Sequence, residues 1–469
     1  MRAKSFFLTI IITVLISSCS KEILKNPHGP EPVEEGYLMV VIKNIPSKIT
    51  PEVPVDYGTT SENKINSLTV VLTDASGYIK FVATPSIKDG ITEEFKVAVG
   101  EYYVYALANS QISVLVGRNI NQVITDTDEN NTISGYHNGQ FLMVNQRSTG
   151  SEQAGVHTII SKQDTPAIAV VYVDRVVCKI IDKTNYETNR PSVNLLADAT
   201  ENFINDVSIQ GFTILNVNKD FYLVQTWSPF NLSGISIDTE ILSTPFSNSN
   251  FVTNQYFNNI NKYTSVSKDF NNNITGITDK TAGTTGIYSW GPVYTTENRP
   301  SIINICNSGI TASKNEATGV IYKVQAKNGD RNLETFYKYE DILTDNIKDI
   351  QDLPEFSYEN LSVLSIPSLR ALGIQVYENG IMYYSYFILD PDMAHLYEDN
   401  YYYAVFRNST YNLKINSITA LGDDVPGGAA VNKGKSIKSE NAPIDTKDIR
   451  MKIYLNVSSW KVNIINTIL

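Results

Sequence analysis

Histidine is scarce in this chain: four in 469 residues, His28, His137, His157 and His395. None has the close spacing of a zinc helix motif or a Cys-His site. His157 falls in the strand-like stretch GVHTIIS and reads as a structural side chain. Cysteine is scarcer still, with three. Cys178 sits inside an apolar strand pattern and reads as a buried, inert thiol, far in sequence from Cys306. Charged residues make up only 19% and the net charge is −11, so the electrostatic footprint of a nucleic-acid binder is absent. There is no glycine-rich phosphate loop and no G-x-S-x-G elbow. No catalytic constellation, metal site or cofactor site stands out. Beyond the first twenty residues no stretch is long and apolar enough for a membrane helix.

The N-terminus has a form of its own. Arg2 and Lys4 precede an apolar run, Phe6 to Ile16, that is too short to span a bilayer. Ser17, Ser18 and Cys19 follow. This is the pattern of a bacterial lipoprotein signal, with residues 1–18 removed and the Cys19 thiol carrying lipid. Residues 19–35, with Pro27, Pro30 and Pro32, read as a flexible leader.

The rest speaks of strands. Hydrophobic residues make up 42%, and 28 tyrosines join many Asn, Ser and Thr, a mixture that suits strands and polar turns. GYLMVVIKN (36–44) is an almost continuous apolar run, as in a strand covered on both faces. A loop of about twenty residues with three prolines follows; loops of that length are usually functional or disordered. SLTVVLTD, GYIKFVA, EEFKVAVGEYYVYALAN and PAIAVVYVDRVVCKIID continue the pattern. Many short strands between turn residues predict an all-β sandwich architecture. Helix is confined to few short pieces, residues 109–125 being one candidate. Near 228 the composition turns to Asn, Ser and Thr with long loops, which predicts two domains, 36–227 and 228–469.

Two stretches raise ligands. DTDENNTIS places Asp126, Asp128, Asn130 and Thr132 at alternating positions, a spacing that can wrap calcium. Asn131 stands where the sharp-turn glycine belongs and His137 where the closing glutamate belongs, so a polar surface loop fits better. The tyrosines of NYYYAVF and GIMYYSYF could stack sugars or simply cover a sheet face. The chain ends in MKIYLNVSSWKVNIINTIL. Apolar residues alternate up to Val457 and change phase after Ser458-Ser459, as in two strand segments meeting at a bulge or bend.

Six stretches in order resemble the major fimbrillins of the Bacteroidales type V pilus. They are VGEYYVYALAN (99–109), GQFLMVNQ (139–146), VYVDRVVCKI (171–180), VYENGIMYYSYFI (376–388), YAVFRNSTYNLKINSITALG (403–422) and KIYLNVSSW (452–460). In the third, Arg175 and Lys179 match the family's basic pair. The resemblance implies two transthyretin-like β-sandwich domains and no enzymatic activity. It also implies an outer-membrane lipoprotein precursor, tethered by lipid until a protease trims it into a cell-surface fimbria. Trimming would remove the first strand, with Leu38, Val40 and Ile42 leaving a groove. The C-terminal strand of the next subunit, with Trp460, Val462, Ile464 and Ile468, would fill it. Such head-to-tail contacts build a filament of fimbrial subunits that supports adhesion.

One departure bears on trimming. The family is usually cut after arginine, yet none occurs between Cys19 and Arg118. Lys48, and then Lys64, are the candidate cut sites. An uncut chain would stay lipid-anchored as an accessory or anchor subunit. A glycan-capturing surface lipoprotein is the other reading.

Overall fold

A computed structural model describes residues 33–43, 55–126, 141–146, 154–184, 192–193, 203–215, 217–218, 220–232, 235–244, 251–252, 293–299, 302–306, 309–312, 317–357, 360–390, 403–425, 431–432, 435–436 and 450–460. The chain is all-β, and among the described residues helix is confined to two short α-helices and short 3₁₀ turns.

The strands that matter below are β1 (Glu35–Lys43), β2 (Val55–Asp56), β3 (Leu68–Thr73), β4 (Ile79–Ala83), β5 (Ile91–Thr92), β6 (Phe95–Ala98), β7 (Gly100–Ala108), β8 (Met143–Asn145), β9 (Val156–Ile160) and β10 (Ala167–Arg175). After them come β11 (Val177–Asp182), β12 (Asp206–Leu215), β13 (Val293–Thr296), β14 (Gly319–Asn328), β15 (Ile381–Phe387), β16 (Ser409–Ile418) and β17 (Met451–Trp460).

The first sheet runs β4-β3-β7-β8-β10-β1-β5, with β9 on β7 and β6 on β1. The second runs β2-β17-β16-β11-β13. The third places β14 between β12 and β15. Strands β10 and β11 are separated by Val176 alone, so hydrogen bonding changes sheet there within one residue. Pairing also crosses residue 228: β11 lies beside β16 and β12 beside β14. A continuous apolar cluster runs from Leu38 through Val177 and Phe212 to Tyr411 and Leu413.

Between β14 and β15 the chain builds a small unit with a core of its own, Tyr339, Ile350, Phe356, Leu361, Leu369, Ile374 and Val376. It holds helices α1 (Ile347–Gln351) and α2 (Ile366–Ala371). Each starts on a side-chain cap, Asn346 accepting from Lys348 N–H and Ser365 from Ser368 N–H, as such residues do at helix starts.

Residues 109–125 do not form the expected helix. Gly117 N–H donates to Ile79 C=O, and Ile79 N–H donates to Arg118 C=O. These bonds to the start of β4 take the groups a helix would need, and only a 3₁₀ turn, Ile120–Gln122, remains. Within the β16–β17 ladder no bulge lies at Ser458-Ser459, and the second strand segment expected after it lies outside the described residues. The β16–β17 ladder runs unbroken from Tyr411 opposite Val457 to Ser409 opposite Ser459, and its irregularity lies at Ile415–Ser417.

Candidate assembly site

β1 is an interior strand. It runs parallel to β10 from Leu38 opposite Ala167 to Lys43 opposite Tyr172. On its other side it runs antiparallel to β6, Glu35 opposite Ala98 to Leu38 opposite Phe95, and meets β5 at Val41 opposite Ile91. Leu38, Val40 and Ile42 are all 0% exposed. Burial of each such side chain contributes about 1.5–3 kcal/mol. Backbone follows the same logic, since Val40 N–H donates to Thr92 Oγ1 at 2.9 Å. At the strand's entry Gly36 passes so close to β9 that a Cβ there would lie 2.4 Å from Ser161 O. Two exposed ion pairs, Glu35–Lys96 and Glu34–Lys162, both 3.1 Å, flank that end.

Past β1, residues 55–64 lie against the second sheet. β2 pairs in parallel with the end of the C-terminal strand, Val55 opposite Ser459 and Asp56 opposite Trp460. A tight turn follows. Asp56 Oδ1 accepts from Gly58 N–H, Glu62 Oε2 from Thr59 N–H, and Thr59 Oγ1 from Glu62 N–H. The last two bonds are the reciprocal pattern of a capping box.

This turn delivers two carboxylates to buried cations. Lys179 Nζ, on β11, lies 2.8 Å from Asp56 Oδ2 and 3.0 Å from Glu62 Oε1. The Lys179 and Glu62 side chains are 6% and 3% exposed. Glu62 Oε1 also accepts from Tyr294 Oη on β13 at 2.7 Å, and Asp56 Oδ2 from Thr410 Oγ1 on β16 at 2.9 Å. Burial tends to raise the Asp56 carboxyl, but the hydrogen bond and charge of Lys179, with Gly58 and Thr410, outweigh it and hold it below its ordinary value. Burial and the Glu62 charge push the Tyr294 phenol up.

Arg175, at the point where the chain changes sheet, is fully buried. Its Nε donates to Glu62 C=O at 3.2 Å and its Nη2 to Asn63 Oδ1 at 2.5 Å. Burial lowers its guanidinium to about 10, partly offset by Glu62 and Asp56, so it is still a cation at neutral pH. Its neighbour Asp174 accepts from Asn408 Nδ2 at 2.6 Å. Burial raises the Asp174 carboxyl to about 7 against the pull of Arg407 and Arg175.

The residues singled out by sequence fall as follows. Leu38, Val40 and Ile42 line one buried face of β1. Trp460 closes β17. Lys64 has an exposed side chain, and its carbonyl accepts from Asn109 Nδ2 at 2.8 Å. Cys19, Lys48, Val462, Ile464 and Ile468 lie outside the described residues, as does most of the calcium-like stretch. Cys178 is a buried free thiol. Sequence reasoning missed Asp56, Glu62, Tyr294 and Thr410. The one local signal was Thr59-x-x-Glu62, the spacing of a capping box.

Residues 375–465 match the family described as major fimbrial subunit protein type IV, fimbrillin, C-terminal. The resemblance to the fimbrillins holds there. This fimbrillin segment contains β15, β16 and β17, including the strand that β2 covers. Among solved structures, a fimbrilin from Porphyromonas gingivalis is 14% identical, covering 91% of this chain and 98% of its own, with a TM-score of 0.42. A tip fimbrial protein from Porphyromonas gingivalis with a C-terminal truncation is also 14% identical, covering 91% and 100%, with a TM-score of 0.34. No curated protein matches the chain.

Proposed function

We propose that this chain is a structural subunit of surface fimbriae, exported as a lipoprotein on Cys19 and joined head to tail by strand donation. The observation that carries the reading is the seat of β1. It is an interior strand that leads the body, joined onward to β2 only through residues 44–54. Its departure would open a slot with a free edge on each side, β10 and β6. The C-terminal residues Val462, Ile464 and Ile468 of the next subunit would fill the slot, with alternate side chains replacing Leu38, Val40 and Ile42, while Trp460 stays opposite Asp56 in its own sheet. The chain on this reading is two sandwich domains in series, 36–227 and 228–469. Nothing in it calls for catalysis or a cofactor.

Deleting residues 461–469 tests the donor. Electron microscopy should show filaments lost while the melting of the monomer stays within a few degrees. Filaments of ordinary length from the shortened chain would reject donation by this end. The absence of arginine between Cys19 and Arg118 favours a second reading, an uncut, lipid-held anchor subunit. Mass spectrometry of surface protein separates the two: a trimmed N-terminus supports the stalk role, and lipidated Cys19 supports the anchor.

A further inference from the structure

We infer that residues Val55–Lys64 are a charged clamp that stays in the folded body when the first strand leaves and fastens the end of the C-terminal strand to its own subunit. The inference rests on the reading that β1 departs, but its test does not require assembly.

Three observations carry it. First, the clamp shares no described strand pairing with β1. Its ladder is with Ser459 and Trp460, and its side chains reach Lys179 on β11, Tyr294 on β13 and Thr410 on β16. Removing β1 breaks none of these bonds. Second, the cations beneath it need it. Arg175 and Lys179 are buried, and Asp56 and Glu62 both lie within ion-pair distance of Lys179. Stripping one side of a buried pair is strongly destabilising because the other charge is left without compensation. A cut that discarded residues 55–64 would take both of these carboxylates from Lys179 and two acceptors from Arg175.

Third, the chain after the clamp is fixed at the bond a lysine-directed protease would need. Lys64 C=O accepts from Asn109 Nδ2, and Asn66 N–H donates to Asn109 Oδ1 at 2.7 Å. One asparagine thus holds the backbone on both sides of the Lys64–Ile65 peptide, although the Lys64 side chain is exposed. Susceptibility follows the burial and bonding of the backbone rather than the reach of the side chain. Lys64 is therefore a protected lysine, and the mature body begins no later than Val55. The clamp also covers the outer edge of β17 at Ser459 and Trp460, and so fixes a root for the proposed donor residues that follow.

The test uses the purified full chain with a site-specific protease sequence inserted in one of two places, after Lys48 or after Lys64. After the upstream cut, the amides of Asp56, Ser459 and Trp460 should keep their hydrogen-exchange protection within about twofold. After the downstream cut, once mild denaturant has drawn the severed N-terminal piece off the body, residues 55–64 leave with it, and Ser459 and Trp460 should exchange at least about tenfold faster, the scale of one or two lost hydrogen bonds. A second measurement needs no insertion. A lysine-specific protease should cut the Lys64–Ile65 bond at least about tenfold faster in Asn109→Ala than in the unaltered chain, with Asn109→Asp intermediate. Release of residues 55–64 by the upstream cut, or rapid cleavage at Lys64 in the unaltered chain, would overturn the clamp. Either result leaves open whether native filaments form by strand donation.

Discussion

Asn408 donates its side-chain amide to the Asp174 carboxylate across 2.6 Å and so ties the end of β10 to the start of β16. Asn408 sits at φ 58, a left-handed conformation that asparagine tolerates better than most side chains. Asp174 also faces Arg407, Arg175 and Glu297.

That contact makes a pH prediction. With its carboxyl raised to about 7, the folded chain holds a proton that the unfolded chain releases near the ordinary value of 3.8. Stability from this group is therefore greatest at low pH and falls as pH rises through that window, by at most about 1.4 kcal/mol per unit. Asp174→Asn keeps an acceptor for Asn408 and should flatten the slope. Urea titrations at about pH 5 and about pH 8 compare the two chains; an unchanged slope in the variant would assign the titration elsewhere.

Asp56 acts in the opposite sense and in a lower window. Its carboxyl is held below 3.8, so its contribution is present above that value and is lost as pH falls beneath it. Asp56→Asn should remove part of the acid sensitivity below about pH 4 without altering the behaviour assigned to Asp174.

Lys179 tests the buried charges directly. Lys179→Met leaves Glu62 and Asp56 facing each other beside Tyr294 and should cost about 3–5 kcal/mol. Adding Glu62→Gln to Lys179→Met should recover part of that loss. A double-mutant cycle from denaturant melts gives the coupling, and strict additivity would show that the pair does not interact.

Gly36→Ala would drive a Cβ into Ser161 O and Ile160 Cγ2. The full chain should lose about 1–3 kcal/mol by thermal melting. A chain whose first strand has been replaced by a donated one should show no loss, since position 36 is then gone.

The unit between β14 and β15 has its own core. Leu369→Ala should cost about 2–5 kcal/mol, with faster hydrogen exchange confined to residues 336–377. Spread of that effect into β1 or β17 would show that the unit is not energetically separate.

Much of this was legible in the sequence, for reasons that differ between residues. The run Leu38 to Ile42 announced a covered strand because local apolarity is the signal and burial the result. Arg175 and Lys179 were visible as a motif, but their role was not, because their partners Glu62 and Asp56 lie over a hundred positions away on a loop. The composition change near 228 marks where long loops begin. It carries no information on pairing, which is set by contacts such as β11 with β16. Helices α1 and α2 were missed although Asn346 and the Ser365-Ile366-Pro367 start were there to read. The segment 109–125 misled because its helical spacing is local, while its hydrogen bonds go to Ile79.

The seat of β1 has a further consequence. Its two neighbours run in opposite directions, β10 along it and β6 against it. A strand entering that gap in either direction meets one parallel and one antiparallel edge, so main-chain bonding scarcely distinguishes forward from backward. Orientation must then be read from features that are not symmetric: the tight passage at Gly36, the lysines 96 and 162 at one mouth, and the step of apolar side chains along the floor. The polarity of the polymer would be written in side chains, over a backbone groove that is nearly indifferent to it.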